Sequence, residues 1–508
     1  MMLKYIDNKL NIVTMYRLTL YYLLGLVVWA GILGFVGLLP YPPLALVISV
    51  TYIGFFAWIT NLIFARVFKV PANVESIYIT VLILTFIITP IRSFSDTTFY
   101  SLAAWSGILS MATKYILALR KKHLFNPAAV AVVITSFALG LSASWWVGTS
   151  WMSVPVLIGG LLLTRKISRT NLLVSFFLAS FATILLTHGA TSLVASLERF
   201  VFTSSALFFA FVMLTEPMTT PPTKSLRIIY GALVGFLSVP TVHFGSYYLT
   251  PEIALVIGNL FAYIVSPKER LMLRLKEIKE IGTNTYDFIF ESAKNFHFTP
   301  GEYMEWTIPD HHSDNRGNRR YFTLASSPSE STIRLGIKVY ENMSTFKRGL
   351  LALKPGEIIS ASQRAGDFTL PKDKNKKLVF IAGGIGITPF RSMFKYLIDK
   401  SEKRDITLFY SNKTLAEIVY TDIFDEAHEK LGINTIYTLT DTAIVPAEWR
   451  GERGFINTDM IRKYIPNMED KYFYISGPHA MVTAFETTLS ELGVKGSHIK
   501  TDYFPGFV

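Results

Sequence analysis

At 508 residues, 51% hydrophobic and only 17% charged, with a formal charge of +12, the chain is too apolar to be soluble throughout and long enough for two or three domains. Cys is absent, which excludes structural disulfides, a thiol nucleophile and a Cys-ligated iron–sulfur cluster within the chain. Residues 1–266 hold 16 Lys/Arg and 6 Asp/Glu, a balance of +10; residues 267–508 hold 33 and 31, a balance of +2. The positive charge belongs to the apolar half and is no sign of a nucleic acid partner.

Residues 1–266 read as an all-α polytopic membrane domain. Apolar stretches fall at roughly 18–39, 43–65, 75–91, 98–119, 126–142, 147–164, 171–187, 193–214, 226–242 and 251–266, which predicts about ten helices against the ~20 residues needed to span. The stretch Leu18–Leu39 is long enough to span, so no cleaved signal peptide is expected. Alternate loops carry Lys4, Lys9 and Arg17; Arg66 and Lys69; Arg120, Lys121 and Lys122; Arg165, Lys166 and Arg169; Lys224 and Arg227; Lys268 and Arg270. The other loops carry only Arg92 and Arg199. Positive charge stays inside, so both termini are expected on the cytoplasmic side of the cell membrane, with Trp145, Trp146 and Trp151 at the opposite interface.

Several spans look broken. The third runs from Asn73-Val74-Glu75-Ser76 to Thr89-Pro90, and the eighth ends in Leu214-Thr215-Glu216-Pro217-Met218-Thr219-Thr220-Pro221-Pro222. Both close a Phe-containing apolar run with Thr and Pro. They lie five spans apart and so point in opposite directions, and Asn126-Pro127 in span five has a counterpart in Asn259 of span ten. This reads as an inverted repeat of five plus five helices around a central site. The plainer alternative is Pro and Thr ending helices at the interface. Glu75, Glu198 and Glu216, in or beside spans, are functional candidates by default. Two haems stacked between paired His need four ligands, and the spans offer His123, His188 and His243. One outer haem on His188 and His243 stays open.

Glu75-Ser76 with Pro90, Lys122-His123-Leu124-Phe125-Asn126-Pro127-Ala128, the Gly159-Gly160 helix and Thr215-Glu216-Pro217 together resemble one family. It is that of the flavin-carrying membrane subunits B of sodium-pumping NADH:quinone reductase and D of the Rnf complex. The resemblance covers most of residues 60–266 and implies FMN near the helix breaks, at Lys122, Asn126, Thr215, Glu216, Thr219 and Thr220. The family's flavin is esterified to Thr in a Ser-Gly-Ala-Thr stretch, which the loop Ser142 to Ser153 lacks. Gly189-Ala190-Thr191 is read as coincidence, so a flavin here is expected to be non-covalent, or absent.

After the short linker Ser266-Pro267-Lys268-Glu269-Arg270, period-two stretches at Leu271–Ile281 and Asp287–Glu291 begin a run of strands to about Ala361. This suits a small antiparallel barrel over residues 267–374. Within it, Arg320-Tyr321-Phe322-Thr323-Leu324-Ala325-Ser326-Ser327-Pro328 offers a cation, aromatic rings and a hydroxyl on a strand entering a turn, the groups a flavin dinucleotide needs. Ser344 and Thr345 open a short helix. An α/β nucleotide-binding domain is expected over 375–508. There the strand Lys377–Ile381 runs into Ala382-Gly383-Gly384-Ile385-Gly386-Ile387-Thr388-Pro389 and a helix, a dinucleotide-type cradle. Ile406–Tyr410, Asn434–Leu439 and Tyr472–Ser476 continue the alternation, and Gly477-Pro478 follows the last strand.

That order of motifs resembles the ferredoxin-NADP reductase superfamily over residues 270–508. By resemblance Arg320, Phe322 and Thr323 form the FAD motif, with Tyr321 in its variable slot. Lys338, Val339, Ser344, Thr345 and the tail aromatics Phe504 and Phe507 complete the FAD set. Gly383, Gly384, Gly386, Thr388, Pro389, Gly477 and Pro478 would hold NAD(P)H, and Ser476 takes a place often held by Cys. Thr323 and Ser476 are the catalytic candidates. Asn342 stands where the family has Gly. After Leu408-Phe409-Tyr410, Ser411 and Lys413 suit a 2′-phosphate, and no acidic residue stands at that strand end, so NADH and NADPH both stay open.

The expectation is a membrane flavin oxidoreductase. NAD(P)H reduces FAD, electrons pass to FMN in the lipid bilayer, and they end on a quinone or an extracytoplasmic acceptor; no metal site is expected. The alternatives are a ferric or haem-type reductase, a redox-driven ion pump, and a reductase on a cofactor-free anchor.

Overall fold

A computed structural model of the chain describes residues 6, 10, 13–68, 74–119, 122–187, 193–203, 205–267, 270–293, 296–308, 318–341 and 343–502. It divides into two compact units, Met1–Ser266 and Pro267–Val508.

The first unit is helical. Its helices are α1 Met15–Phe35, α2 Pro43–Val67, α3 Val74–Ile87, α4 Thr97–Ile116, α5 Pro127–Leu139, α6 Ser150–Ile167, α7 Thr170–Thr187 and α8 Leu193–Phe202. Then come α9, Ala206–Phe208 continued by a π-helical turn Phe209–Leu214, α10 Lys224–Leu237 and α11 Pro251–Val265. Among the described residues α1, α2 and α7 are long and apolar enough to cross a membrane, and α8 with α9 pass as one bent span. The helices α3, α5 and α11 are shorter, at 14, 13 and 15 residues. Local chemistry sets their ends. Asn126 caps α5 by accepting from Ala129 N at 3.1 Å, with Pro127 in the first turn, and Gly140 stops the helix in a left-handed conformation, φ 66°. Pro251 likewise stands in the first turn of α11.

Packing in this unit relies on small residues, because lipid offers no hydrophobic drive between helices. A Cβ on Gly235 of α10 would stand 3.1 Å from Phe176 Cα of α7, and one on Gly160 of α6 would collide with the Phe211 side chain. The pairings repeat: α2 packs on α4 as α7 packs on α10, and α4 on α5 as α10 on α11. Across these sets α1 meets α6, and α5 meets α11.

The second unit begins with an antiparallel sheet of β1 Arg270–Gly282, β2 Thr285–Ser292, β3 Tyr303–Thr307, β4 Arg319–Thr323, β5 Ile333–Lys338 and β6 Ile358–Ala365, in the order β4-β3-β6-β1-β2-β5. Alternation fixes its inner face: Leu271, Leu273 and Leu275 are buried while Met272, Arg274 and Lys276 are exposed. The core they enter also holds Trp306, Phe290 and Phe346, the last from the short helix α12 Thr345–Leu351.

A parallel sheet follows: β7 Lys377–Gly383, β8 Ile406–Asn412, β9 Asn434–Leu439, β10 Glu452–Arg453, β11 Lys471–Ser476 and β12 Ile499–Asp502, in the order β10-β9-β8-β7-β11-β12. Helices α13 Thr388–Asp399, α14 Thr421–Leu431, α15 Thr458–Tyr464 and α16 His479–Glu491 connect them. Leu378 to Ala382 are buried on both faces, as a central parallel strand requires.

Candidate active site and membrane cleft

The strand order reverses beside β7. From β7 the chain runs outward through β8, β9 and β10, then returns to place β11 and β12 on the other side. A crevice opens at such a switch point, beyond the carboxyl ends of the strands. Gly383 ends β7, and Gly384 turns the chain at φ 52°. Ser476 ends β11 and leads into Gly477 and Pro478. The two loops touch backbone to backbone. A Cβ on Gly386 would lie 2.6 Å from Gly477 N, and one on Gly477 would lie 3.3 Å from Gly383 N. At Gly386 only Gly fits, and at Gly477 a side chain would be tight. Thr388 and Pro389 open α13 directly behind and are buried. Ser411 pairs in register with Gly383, and Lys413 beyond it is exposed. Contrary to the sequence reading, a carboxylate does stand at this strand end. Glu417 Oε2 accepts from Lys413 N at 3.3 Å and holds Lys338 Nζ at 2.8 Å.

On the antiparallel sheet, the Arg320 guanidinium lies over the Phe346 ring at 5.5 Å, and the Phe322 ring is 5.7 Å from Phe346. Phe346 follows Thr345 in α12, which Ser344 caps by accepting from Lys347 N at 3.3 Å. Arg320, Phe322, Ser344 and Thr345 therefore gather around one ring. Tyr321 alternates to the other face and donates its hydroxyl to Glu305 at 2.9 Å. Lys338 and Val339 have other partners: Lys338 pairs with Glu417, and Val339 is buried in the core with its N donating to Asn284 O. Phe504 and Phe507 lie outside the described residues.

Thr323 and Ser476 converge on a third residue. Thr323 Oγ1 donates to Asp502 Oδ2 at 3.4 Å, and Asp502 is the register partner of Ser476 across β11 and β12. Burial pushes the Asp502 carboxyl up to about 7, with the Thr323 hydroxyl pulling the other way.

The helical unit holds a second polar centre. Glu216 Oε1 is 3.1 Å from His123 Nε2, and Glu216 Oε2 accepts from Asn126 Nδ2 at 2.9 Å and Thr219 Oγ1 at 3.2 Å. Asn126 N donates to Asn259 Oδ1 at 2.8 Å, and Asn259 Nδ2 donates to Tyr230 OH at 3.0 Å. Lys114 Nζ donates to Thr80 Oγ1 at 2.9 Å and to Ser76 Oγ at 3.1 Å. A cleft lined by Ser76, Thr80, Lys114, Asn126, Thr215 and Glu216 lies between them. Thr215 and Thr220 turn their hydroxyls to their own turn, onto Phe211 O at 2.7 Å and Pro217 O at 3.4 Å. The Lys122 side chain, His188 and Gly189-Ala190-Thr191 lie outside the described residues. His243 is exposed, with Nδ1 2.9 Å from Gly245 O.

Residues 380–487 match the oxidoreductase NAD-binding domain family, and residues 147–269 match the NQR2, RnfD, RnfE family. The second unit carries an oxidoreductase NAD-binding domain. The first carries an NQR2, RnfD, RnfE-type domain, and with its apolar helices it is of membrane type. The chain is 28% identical over 241 residues to a flavohemoprotein of Bacillus cereus, covering 45% of this chain and 59% of that protein. It is 30% identical over 203 residues to a component of the Na(+)-translocating NADH-quinone reductase of Methylococcus capsulatus, covering 37% of this chain and 49% of that protein. The chain thus spans about half the length of these relatives. A solved cytochrome P450 reductase, GcoB of Amycolatopsis, aligns at 22% identity and TM-score 0.43, over 47% of this chain and 71% of that one.

Within the oxidoreductase NAD-binding domain, Asp502 and Glu417 were not singled out from the sequence. Asp502 lies on a strand that the sequence did not predict, and its register with β11 sets it beside Ser476; Glu417 lies in a turn after β8 and reaches Lys338 only through the fold. In the NQR2, RnfD, RnfE-type domain, Lys114 carried a signal that went unused: a lone Lys inside an apolar run.

Proposed function

We propose that the chain is a membrane-bound NAD(P)H-dependent flavin oxidoreductase. The supporting observation is the meeting of Thr323, Ser476 and Asp502 beside the Gly386–Gly477 contact. The donor set fits FAD, with a guanidinium for the diphosphate and aromatic rings around it. Arg320, Phe322, Thr323, Ser344 and Thr345 would hold it, and Gly383, Gly384, Gly386, Gly477 and Pro478 would hold the nicotinamide dinucleotide. When bound, FAD accepts a hydride and passes electrons on singly, which joins a two-electron donor to a one-electron chain. The chain's own part is to orient and to hold protons. The Gly cradle lets the donor approach backbone closely, Thr323 Oγ1 and Asp502 place a hydroxyl and a carboxyl at one point, and Asp502 carries its proton into the neutral range.

In the membrane domain the reading is an inverted five-plus-five repeat of about ten spans, with both termini cytoplasmic. It is supported by the repeated helix pairings and the positive loops. The residues around the cleft fit the polar ring edge of a second, non-covalent flavin, FMN, which Asn126, Thr219, Glu216 and Lys114 would hold. Electrons would leave toward a quinone or an extracytoplasmic acceptor. The test is the pigment content of the detergent-purified chain with anaerobic NAD(P)H titration. FAD plus FMN, both bleached, is the expected result. FAD with a Soret band, or FAD alone, would overturn the membrane half of the reading, and no bleaching would overturn the whole.

A further inference from the structure

The first turns of α13, directly behind the Gly-rich loop, reach the segment that follows Thr323. Arg391 is buried, its side chain only 4% exposed, and both of its terminal nitrogens are bonded. Nη1 donates to Ala325 O at 2.9 Å and to Glu330 Oε2, and Nη2 donates to Glu330 Oε1 at 2.9 Å. Next to it, Ser392 Oγ donates to Ser326 O at 2.6 Å, both residues being fully buried. Glu330 Oε2 also accepts from Ser327 N at 2.6 Å. From the opposite side, a Cβ on Gly336 of β5 would stand 2.8 Å from Thr388 Cγ2 and 3.5 Å from Ile385 Cδ1. The segment that follows Thr323 is therefore tied to α13 by two adjacent side chains, and β5 packs closely against the loop Gly383–Thr388.

A buried ion pair is seldom more stabilising than apolar side chains of the same size. A bidentate fork does fix distance and angle, which apolar contact does not. We propose that Arg391, with Glu330 as its carboxylate partner, is a positioning residue for hydride transfer. The pair sets the separation between the nicotinamide loop Gly383–Thr388 and Thr323. This rests on the reductase reading above. Arg391 touches neither nucleotide in that reading; it acts through Ala325–Ser327 and through α13.

The test uses the full-length, detergent-purified chain and the variants Arg391→Lys, which keeps the charge but loses the fork, and Glu330→Gln, which keeps the shape. The expected result is an unchanged FAD content and an unchanged KM for NAD(P)H. The limiting rate of flavin bleaching per bound FAD should fall by about tenfold or more, since a misplacement near 1 Å costs up to ~10² in rate. In flavin-free protein, amide hydrogen exchange over 325–330 and 385–392 should accelerate together. Should Arg391→Lys not fold, Glu330→Gln carries the measurement alone. Faster exchange with an unchanged rate per bound FAD would reduce the pair to a structural clip and overturn the proposal. A wild-type chain that never bleaches would overturn the reductase reading instead.

Discussion

Replacing Gly386 with Ala tests the crevice most directly. The added methyl would lie 2.6 Å from both Gly477 N and Gly477 Cα, with Ser476 O closer still. Carbon contacts settle at about 3.5–4.0 Å, so the two loops must part by roughly 1 Å. No flexible side chain is there to yield, because all three atoms are backbone. They belong to the turn leaving β11, which is hydrogen-bonded in register to β7 through Ala382 and Ser476. Overpacking of this kind costs about 1–3 kcal/mol. If the strain falls on the nucleotide cradle, NAD(P)H affinity drops roughly 5- to 150-fold. The Arg320–Phe346 surface lies on the other sheet, so FAD content should not change. The assay is NAD(P)H titration of the FAD-loaded chain, followed by fluorescence quenching, with flavin absorbance as the control for folding. Wild-type affinity in a folded, FAD-loaded Gly386→Ala chain would refute the placement of the dinucleotide between Gly383 and Gly477.

Arg320→Ala removes the cation over Phe346; losing a charge-assisted hydrogen bond, worth about 1.5–3 kcal/mol, should weaken FAD roughly tenfold or more, read as flavin lost on gel filtration, and full retention would misplace the site. Asp502 should give a pH signature. Its carboxyl is held up to about 7 in the fold, against ~3.9 in an unfolded chain, so the folded state keeps a proton the unfolded state releases. Stability should therefore fall as pH rises through that window and level off above it, and Asp502→Asn, which cannot ionise, should flatten the curve in thermal-shift measurements. An identical slope in the variant would show that Asp502 is not the group responsible. Glu216→Gln leaves His123, Asn126 and Thr219 around a neutral amide, at a cost of about 1–3 kcal/mol. Acid extraction should then recover FAD but less FMN, and equal loss of both would argue against a second flavin at the cleft.

Much of the fold was legible because its signals are local. Most apolar runs over residues 1–266 overlap a helix, the run 193–214 being broken into two, and the predicted strands Lys377–Ile381, Ile406–Tyr410 and Tyr472–Ser476 each carry a β-branched or aromatic run that Gly or Ser closes. The order of Arg320, Ser344, Gly383 and Gly477 was likewise readable, since each motif is a few residues long. What stayed hidden is non-local. Thr323 and Asp502 are 179 residues apart and meet only where the antiparallel and parallel sheets pack, while the register of β11 with β12 sets Asp502 beside Ser476. Lys338 is also paired with Glu417, a partner 79 residues along the sequence that no local pattern announces. The π-helical turn at Phe209–Leu214 has no local signature either: its residues are ordinary helix formers, and the extra residue per turn shows only in the backbone.

That turn bears on where chemistry belongs in the membrane domain. Helix ends within a bilayer must satisfy their carbonyls from inside the protein. The two ends related by the proposed repeat do so differently. At the end of α3, Ile87 O accepts from Ser144 N at 2.9 Å and Trp145 N at 3.1 Å, and Phe86 O from Val147 N at 3.3 Å; a passing chain segment seals it mainly with backbone, and the Ser144 hydroxyl and the Trp146 indole add bonds to Ile87 O at 3.4 Å and Thr85 O at 2.6 Å. At the end of α9, Glu216 N and Thr219 N bond within their own turn, and what crosses from neighbouring helices is side chain: Asn126 Nδ2 to Glu216, Asn259 Nδ2 to Thr219 O. That seal is made of neutral groups on α3's own carbonyls, whereas the Glu216 end carries a carboxylate held by His123, Asn126 and Thr219. A side-chain seal can exchange one of its own bonds for a ligand's at little cost, because the groups stay paired either way. In the proposed reading this difference favours the Glu216 end over its counterpart at Ile87 for a polar cofactor edge, so substitutions at Ser144 or Val147 should lower stability in detergent without changing flavin content.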